Sequence, residues 1–140
     1  RRQLLLRGAL LAALAPVVRA AQAGATQGAV GPLPQLLAVH DPDYRRSREF
    51  AAALQERGAR MLALEPDALA LWHGTLRSAC QATPAVRISG LTTRTDFLVL
   101  RDLARSAGLA PLATRDADAG GARGRATLIG WVLAPRAPVA

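Results

Sequence analysis

Apolar residues along this chain form short continuous runs that alternate with longer stretches of helical spacing. Apolar runs of about four to eight residues, bounded by polar, Pro or Gly positions, are typical of strands buried in a sheet. These runs predict strands over residues 35–40, 60–65, 85–90, 109–114 and 126–133.

The stretches between the first four predicted strands carry apolar residues at the spacing of one helix face. They predict helices from Tyr44 to Arg57, from Pro66 to near Pro84, and from Thr93 to Ala107. Thr93 and Asp96 match a capping box, in which the threonine hydroxyl accepts a hydrogen bond from the amide of Asp96. Glycines follow the first and third stretches, as is common at helix ends.

Strand–helix units in series predict an α/β fold, a three-layer sandwich with a mostly parallel five-stranded sheet. The strand order we expect is 2-1-3-4-5. No helix separates the last two strands, so they should form an antiparallel hairpin that leaves the fifth at the edge. Right-handed crossovers that reverse direction at strand one put helices on both faces, as in flavodoxin-like and Rossmann-like folds.

The N-terminal residues follow another pattern. Arg1 and Arg2, a spacer and two leucines resemble a twin-arginine (Tat) export signal. The uncharged apolar run from Gly8 to Val18 suits a signal peptide and is shorter than the roughly 20 residues that span a bilayer. Arg19 then disfavours the general secretory route, and Ala21-Gln22-Ala23 is an A-x-A cleavage site.

Two alternatives remain open for this segment. Cleavage at Ala23-Gly24-Ala25 is one, and an ordinary helix that starts the domain is the other, although the apolar run lacks a polar face. The expected organisation is a Tat signal peptide over 1–23, a flexible leader over 24–34, one α/β domain over 35–135 and a tail over 136–140. The protein would then be periplasmic, with the Tat translocase as its partner during export and no stable membrane span.

The formal net charge of +8 overstates how basic the domain is. Four of the 18 basic residues, all arginines, lie in residues 1–23, so the remaining 14 face 10 acidic residues and leave a net charge of +4. After residue 23 the longest basic run is Arg45-Arg46, and the aromatic residues do not cluster. A nucleic-acid site needs a dense basic face, usually with aromatic rings for stacking, so we expect no nucleic-acid partner.

The residues that are missing exclude several kinds of chemistry. The chain has no lysine, which excludes a Walker A loop and a lysine Schiff base. Its single cysteine, Cys80, excludes an internal disulfide, and we expect it to be a buried, inert thiol. Neither His40 nor His73 lies in a spaced ligand motif, so we expect no metal and no cofactor.

Ligands of such sheets bind beyond the carboxyl ends of the strands, where the order reverses. His40 and Asp41 end the first predicted strand and are the candidate catalytic residues, as an acid/base pair. The alternative is a turn in which Asp41 or Asp43 only caps the next helix.

The turn predicted after strand three, Gly90–Arg94, faces His40 if strands one and three are neighbours. It places hydroxyls, an arginine and free backbone amides at a helix N-terminus, which suits a small anionic ligand. The alternative is that Thr93 and Asp96 merely cap the helix. The expected ligand-binding residues are Tyr44, Gly90, Thr92, Thr93 and Arg94.

The segments His40–Tyr44, Leu71-Trp72, Gly90–Thr92, Asp96-Phe97 and Gly130–Pro135 together resemble a group of small Tat-exported proteobacterial proteins to which no activity is assigned. The resemblance covers most of the chain after the signal. It implies the location of the protein and carries no catalytic residues over to it.

The expected function is that of a non-catalytic periplasmic domain that binds a small ligand or serves as an accessory to an exported protein partner. The alternative is a small hydrolase or transferase that uses His40, Asp41 and the Thr92–Arg94 turn. An enzyme site would bring the His40 ring within hydrogen-bond or one-water reach of that turn, which distinguishes the two.

Overall fold

The computed structural model of the chain describes residues 12–22, 35–118 and 127–136. Its strands are β1 (Leu36–His40), β2 (Arg60–Ala63), β3 (Arg87–Thr93), β4 (Leu109–Asp118) and β5 (Thr127–Pro135). Its helices are α1 (Ala15–Gln22), α2 (Arg45–Gln55), α3 (Ala68–Leu71), α4 (Arg77–Ala82) and α5 (Arg94–Arg105). A π-helical segment, Trp72–Leu76, joins α3 to α4.

The strands form one mixed sheet in the order β2-β1-β3-β5-β4. β1 pairs in parallel with β2 and β3, whereas β5 pairs antiparallel with both β3 and β4. The predicted order 2-1-3-4-5 and the mostly parallel pairing are therefore wrong. The predicted hairpin between the last two strands is correct, but β5 lies in the interior of the sheet and β4 forms its edge.

Burial explains why β5 takes the inner position. Its residues from Leu128 to Ala134 are all buried, and a central strand covers such an apolar sequence on both faces. β4 carries Pro111, Arg115 and Asp116 and is mostly exposed. Proline and charged side chains are tolerated at an edge, where one row of backbone groups stays unpaired.

Helices cover both faces of the sheet, as predicted for an α/β sandwich. On one face, α3, α4 and α5 pack over a cluster that includes Val39, Ile88 and Trp131. On the other, α1 and α2 pack over a cluster that includes Ala38 and Leu91. The neighbours Ala38 and Val39 point to opposite faces, as the period of a strand requires.

Helix α1 lies within the predicted signal peptide and belongs to the second of these faces. It lies against β3, β4 and β5, and its Val17, Val18 and Ala21 are buried, as is Leu14 just before the helix. The packing matches the alternative of a helix that starts the domain. Processing of the segment stays a prediction. Residues 1–11 and 23 of the expected signal peptide, the leader over 24–34 and most of the tail fall outside the described ranges.

Strand β3 continues through Thr93, so the turn predicted at Gly90–Arg94 is wrong. The extra residues pair with β5, where Leu91, Thr92 and Thr93 lie opposite Gly130, Ile129 and Leu128. The predicted strand ended at Gly90, since a glycine beside an apolar run often marks a turn or bulge. Here the glycine makes room for the ring of the tryptophan opposite.

In the described part of the chain, no helix combines the length and the hydrophobicity that crossing a membrane requires.

Candidate functional site

The carboxyl end of β1 is held in place by Ser47, the third residue of α2. The Ser47 hydroxyl accepts a hydrogen bond from the Asp41 amide at 2.7 Å and donates one to the carbonyl of Leu91 on β3. Ser47 is fully buried. One side chain thus ties together β1, α2 and β3. The sequence pattern did not single out Ser47, although a serine in the first turn of a helix is a common partner for nearby backbone groups.

Asp41 forms a turn with its own neighbours. Its Oδ1 accepts a hydrogen bond from the amide of Asp43 at 3.0 Å. Burial raises the pKa of Asp41 above its usual value, the Asp43 amide lowers it, and the carboxylates of Asp43 and Asp96 raise it further. The expected turn is present, but neither Asp41 nor Asp43 caps the helix, because Tyr44 is the N-cap residue of α2 and no side chain caps it.

His40 is 9% exposed, and its Nδ1 is the single buried side-chain polar atom without a hydrogen-bond partner in the described residues. Across those residues, no hydrogen bond joins His40 to Thr92, Thr93 or Arg94. The direct contact expected of an enzyme site is therefore missing from the described geometry.

Thr92 and Thr93 have their hydroxyls engaged within the protein. Thr92 Oγ1 accepts from Trp131 Nε1 at 3.0 Å and donates to the carbonyl of Thr93 at 3.1 Å. Thr93 Oγ1 accepts from the Asp96 amide at 3.3 Å and donates to the Asp96 carboxylate at 2.9 Å. The predicted capping box at the start of α5 is confirmed.

The other expected ligand residues are also engaged. Arg94 forms an exposed ion pair with Asp116 of β4 at 2.9 Å. Tyr44 is the N-cap residue of α2, and its side chain packs against the α1–α2 cluster. Gly90 is buried against Trp131. With Asp41, Asp43 and Asp96 close by, this strand edge is a poor site for an anion.

A second location has the shape of a ligand site. A groove of about 460 Å³ lies between the helical stretch after β2 and helix α5. Trp72 and Leu103 give it apolar walls, and His73, Arg77, Gln81 and Ser106 give it polar ones. Its remaining lining residues are Cys80 and Ala107, so no carboxylate lines it.

Helical spacing brings the polar residues of the groove together. His73 and Arg77 are four residues apart, as are Arg77 and Gln81, so they share one helix face. His73 lies in the π-helical segment, and π-helical turns are frequent at functional sites. Trp72 is buried and His73 is exposed, and the sequence pattern did not reveal the groove that both residues line.

Three polar side chains of the groove are free to bind a ligand. Within the described ranges, His73, Arg77 and Gln81 have no hydrogen-bond or ion-pair partner, whereas Ser106 donates to the carbonyl of Leu103 at 2.7 Å. Cys80 is half-buried and burial raises the pKa of its thiol. At neutral pH it is therefore a thiol, not the thiolate that a nucleophile requires.

Among the residues described, no group of three or more His, Cys, Asp and Glu side chains is placed to hold a metal ion. The comparisons with known proteins found no matching family model, curated protein or solved structure.

Proposed function

We propose that this protein is an exported, non-catalytic domain that binds a small anionic ligand in the groove beside Arg77. The observation that carries the proposal is the set of unpaired polar groups there. Arg77, His73 and Gln81 line one groove, and no acidic side chain lines it with them. An arginine forms two parallel hydrogen bonds with a carboxylate or phosphate, so it favours such a group over a neutral one.

The shape of the groove narrows the ligand class. A volume of about 460 Å³ lies within the roughly 300–1,000 Å³ typical of small-molecule sites. Trp72 and Leu103 offer an apolar wall beside the arginine. The ligand that fits this combination has a carboxylate or phosphate at one end and a short apolar part at the other.

Export is supported by the sequence pattern. Arg1 and Arg2 precede an apolar run, and small residues follow Arg19. We place the protein in the periplasm, delivered by the Tat translocase. The ligand would then be a small molecule of the periplasm, and any protein partner would be another exported protein.

Calorimetric titration of the folded full chain with inorganic phosphate and with butyrate tests the ligand site. Butyrate has the apolar end that phosphate lacks, so we expect it to bind more tightly. Arg77→Gln should weaken binding by about tenfold or more, because a hydrogen bond to a charged group is worth about 1.5–3 kcal/mol.

Arg60→Gln is the matched control. Arg60 is also an exposed arginine, but it lies on β2 and does not line the groove. The ligand proposal fails if neither anion binds the wild-type chain, or if Arg77→Gln and Arg60→Gln weaken binding equally. Export is tested separately by fractionating cells that produce the chain with Arg1 and Arg2 intact or both changed to Gln.

A small hydrolase or transferase at the strand edge is the second candidate. The unpartnered Nδ1 of His40 and the raised pKa of Asp41 favour it, because perturbed groups gather at active sites. It ranks second because Asp41, Thr93 and Arg94 are all engaged within the protein. Hydrolysis of 4-nitrophenyl acetate or phosphate that is lost in His40→Asn would put it first.

A further inference from the structure

The two tryptophans of the chain differ in what their indole N–H groups contact. Both rings belong to the cluster that α3, α4 and α5 cover, where Trp131 is fully buried and Trp72 is 2% exposed. Trp131 Nε1 donates to Thr92 Oγ1 at 3.0 Å. In the described part of the chain, no group accepts a hydrogen bond from Trp72 Nε1. An indole N–H in a buried ring usually has an acceptor, so the Trp72 donor is left for a group from outside the protein.

The Trp72 donor opens to the groove. Among the described residues, His40 Nδ1 is the single side-chain polar atom that is both buried and without a partner. Trp72 Nε1 has no partner either, so it is not buried and contacts solvent. Because Trp72 lines the groove, the small exposed part of its side chain presents an N–H donor there.

The π-helical segment brings Trp72 and Arg77 to the same side of the helix. The Arg77 amide donates to the Trp72 carbonyl, five residues earlier, whereas an α-helix joins residues four apart. In a regular α-helix, residues five apart point about 140° away from each other. The wider turn takes up the additional residue, and Arg77 moves toward the direction in which Trp72 points. Both side chains therefore line one groove.

The charge of the groove limits the charge of its ligand. Arg77 is the only permanently charged side chain among the lining residues. The opposite wall comes from the carboxyl end of α5 and the residues after it, through Leu103, Ser106 and Ala107. This end of a helix bears a partial negative charge, which opposes a second negative charge on the ligand. A carboxylate therefore fits better than a phosphate group, which carries about −1.5 to −2 near neutral pH.

We infer that the ligand is a monocarboxylate and that Trp72 is a second residue that selects it. Arg77 binds the carboxylate through its guanidinium, and Trp72 Nε1–H donates to a remaining lone pair of the same group. A directional donor beside a cation favours this group over chloride, which has the same charge on a single atom. The inference rests on the proposed ligand groove and names the chemical group that the groove takes.

NMR spectroscopy of the folded full chain tests the Trp72 contact. With isotope-labelled indole nitrogens, the spectrum contains one signal for each of the two tryptophans, and Trp72→Phe identifies the Trp72 signal. Butyrate should move the Trp72 indole proton downfield, because its N–H gains an anionic acceptor, and should leave the Trp131 signal in place. Sodium chloride at the same ionic strength should move neither signal.

Calorimetry tests the contribution of Trp72 to affinity. Trp72→Phe keeps an aromatic ring without the donor and should weaken butyrate binding by about tenfold or more. Trp131→Phe is the matched control, because it makes the same change in the same cluster away from the groove, and its butyrate affinity should stay close to wild type. Propylphosphonate has the alkyl chain of butyrate with a higher charge and should bind wild type more weakly than butyrate.

The outcomes separate this inference from the proposed function. If butyrate binds in a way that depends on Arg77 but the Trp72 signal does not move, the Trp72 donor contacts only water, and its selecting role fails while the ligand groove stands. Tighter binding of propylphosphonate would overturn the monocarboxylate assignment in the same way. Equal losses of affinity after Trp72→Phe and Trp131→Phe would overturn the role of Trp72, because packing would account for both.

Absence of binding by any of these anions to the wild-type chain would overturn the proposed function and this inference together. The wild-type spectrum decides the role of Trp72 even if Trp72→Phe does not fold, because Trp131→Phe also assigns the two indole signals.

Discussion

Gly90 of β3 and Trp131 of β5 lie directly opposite one another, and the tryptophan ring occupies the space where a side chain of residue 90 would be. A Cβ on Gly90 would lie 2.5 Å from Trp131 Cζ2 and 3.0 Å from the carbonyl oxygen of Val39. The ring also packs against Phe97 of α5, with 5.7 Å between the ring centroids. This contact joins the centre of the sheet to the helix layer above it.

Gly90→Ala should therefore destabilise the protein by about 1–3 kcal/mol, as is typical when a filled core receives an extra methyl group. The ring cannot move away easily because it is fully buried. Urea unfolding followed by circular dichroism measures the change. Gly74→Ala is the control and should be neutral or slightly stabilising, since alanine favours helix more than glycine does. Equal effects at the two glycines would contradict the packing described.

Thr92→Val should cost about 1–3 kcal/mol, because it leaves the buried Trp131 Nε1 without an acceptor. Trp131→Phe removes the donor and also part of the ring, so its cost should be larger. A double-mutant cycle isolates the hydrogen bond: after Trp131→Phe, the further change Thr92→Val should cost less than it does in the wild type. Strict additivity would mean that the two side chains do not interact.

Ser47→Ala should destabilise the protein by about 1–3 kcal/mol, because it removes the partner of the Asp41 amide and of the Leu91 carbonyl, both at a buried site. Ser106→Ala, at an exposed serine that also hydrogen-bonds to a backbone carbonyl, is the control and should cost much less. Urea denaturation compares the two. A loss after Ser47→Ala no larger than that after Ser106→Ala would show that the bridge contributes nothing measurable.

Asp41 should make stability depend on pH in the opposite direction to a salt-bridged carboxylate. Burial raises its folded-state pKa above the usual 3.8, so the folded state binds the proton more tightly than the unfolded state. Its contribution to stability is therefore fully present below the unfolded-state pKa and is lost as the pH rises through the folded-state pKa.

Asp41→Asn should accordingly raise the free energy of unfolding at pH 7 relative to wild type, because the amide keeps an oxygen for the Asp43 amide and carries no charge. The gain should shrink as the pH falls toward 3.8 and wild-type Asp41 becomes protonated. Urea unfolding across this pH range measures the difference. A gain that does not change with pH would show that the charge of Asp41 is not its cause.

The local pattern of the sequence determined which segments form helices and strands. Apolar spacing located β1, α2 and α5 to within a few residues, and the Thr93–Asp96 capping box is as predicted. These features depend on residues a few positions apart, so their physical causes can be read along the chain. The α/β class with helices on both faces follows from the order of the elements.

Tertiary structure alone decided the rest. β5 lies between β3 and β4 because, at an edge, it would expose more apolar surface than β4 does. The additional residues of β3 pair with β5 for the same reason. Arg77 and Ser106 line the same groove, and Leu14 packs against Gly130. Contacts between such distant residues depend on how apolar faces are shared out over the whole domain. The apolar periodicity of a single segment does not show which other segment its apolar face will pack against.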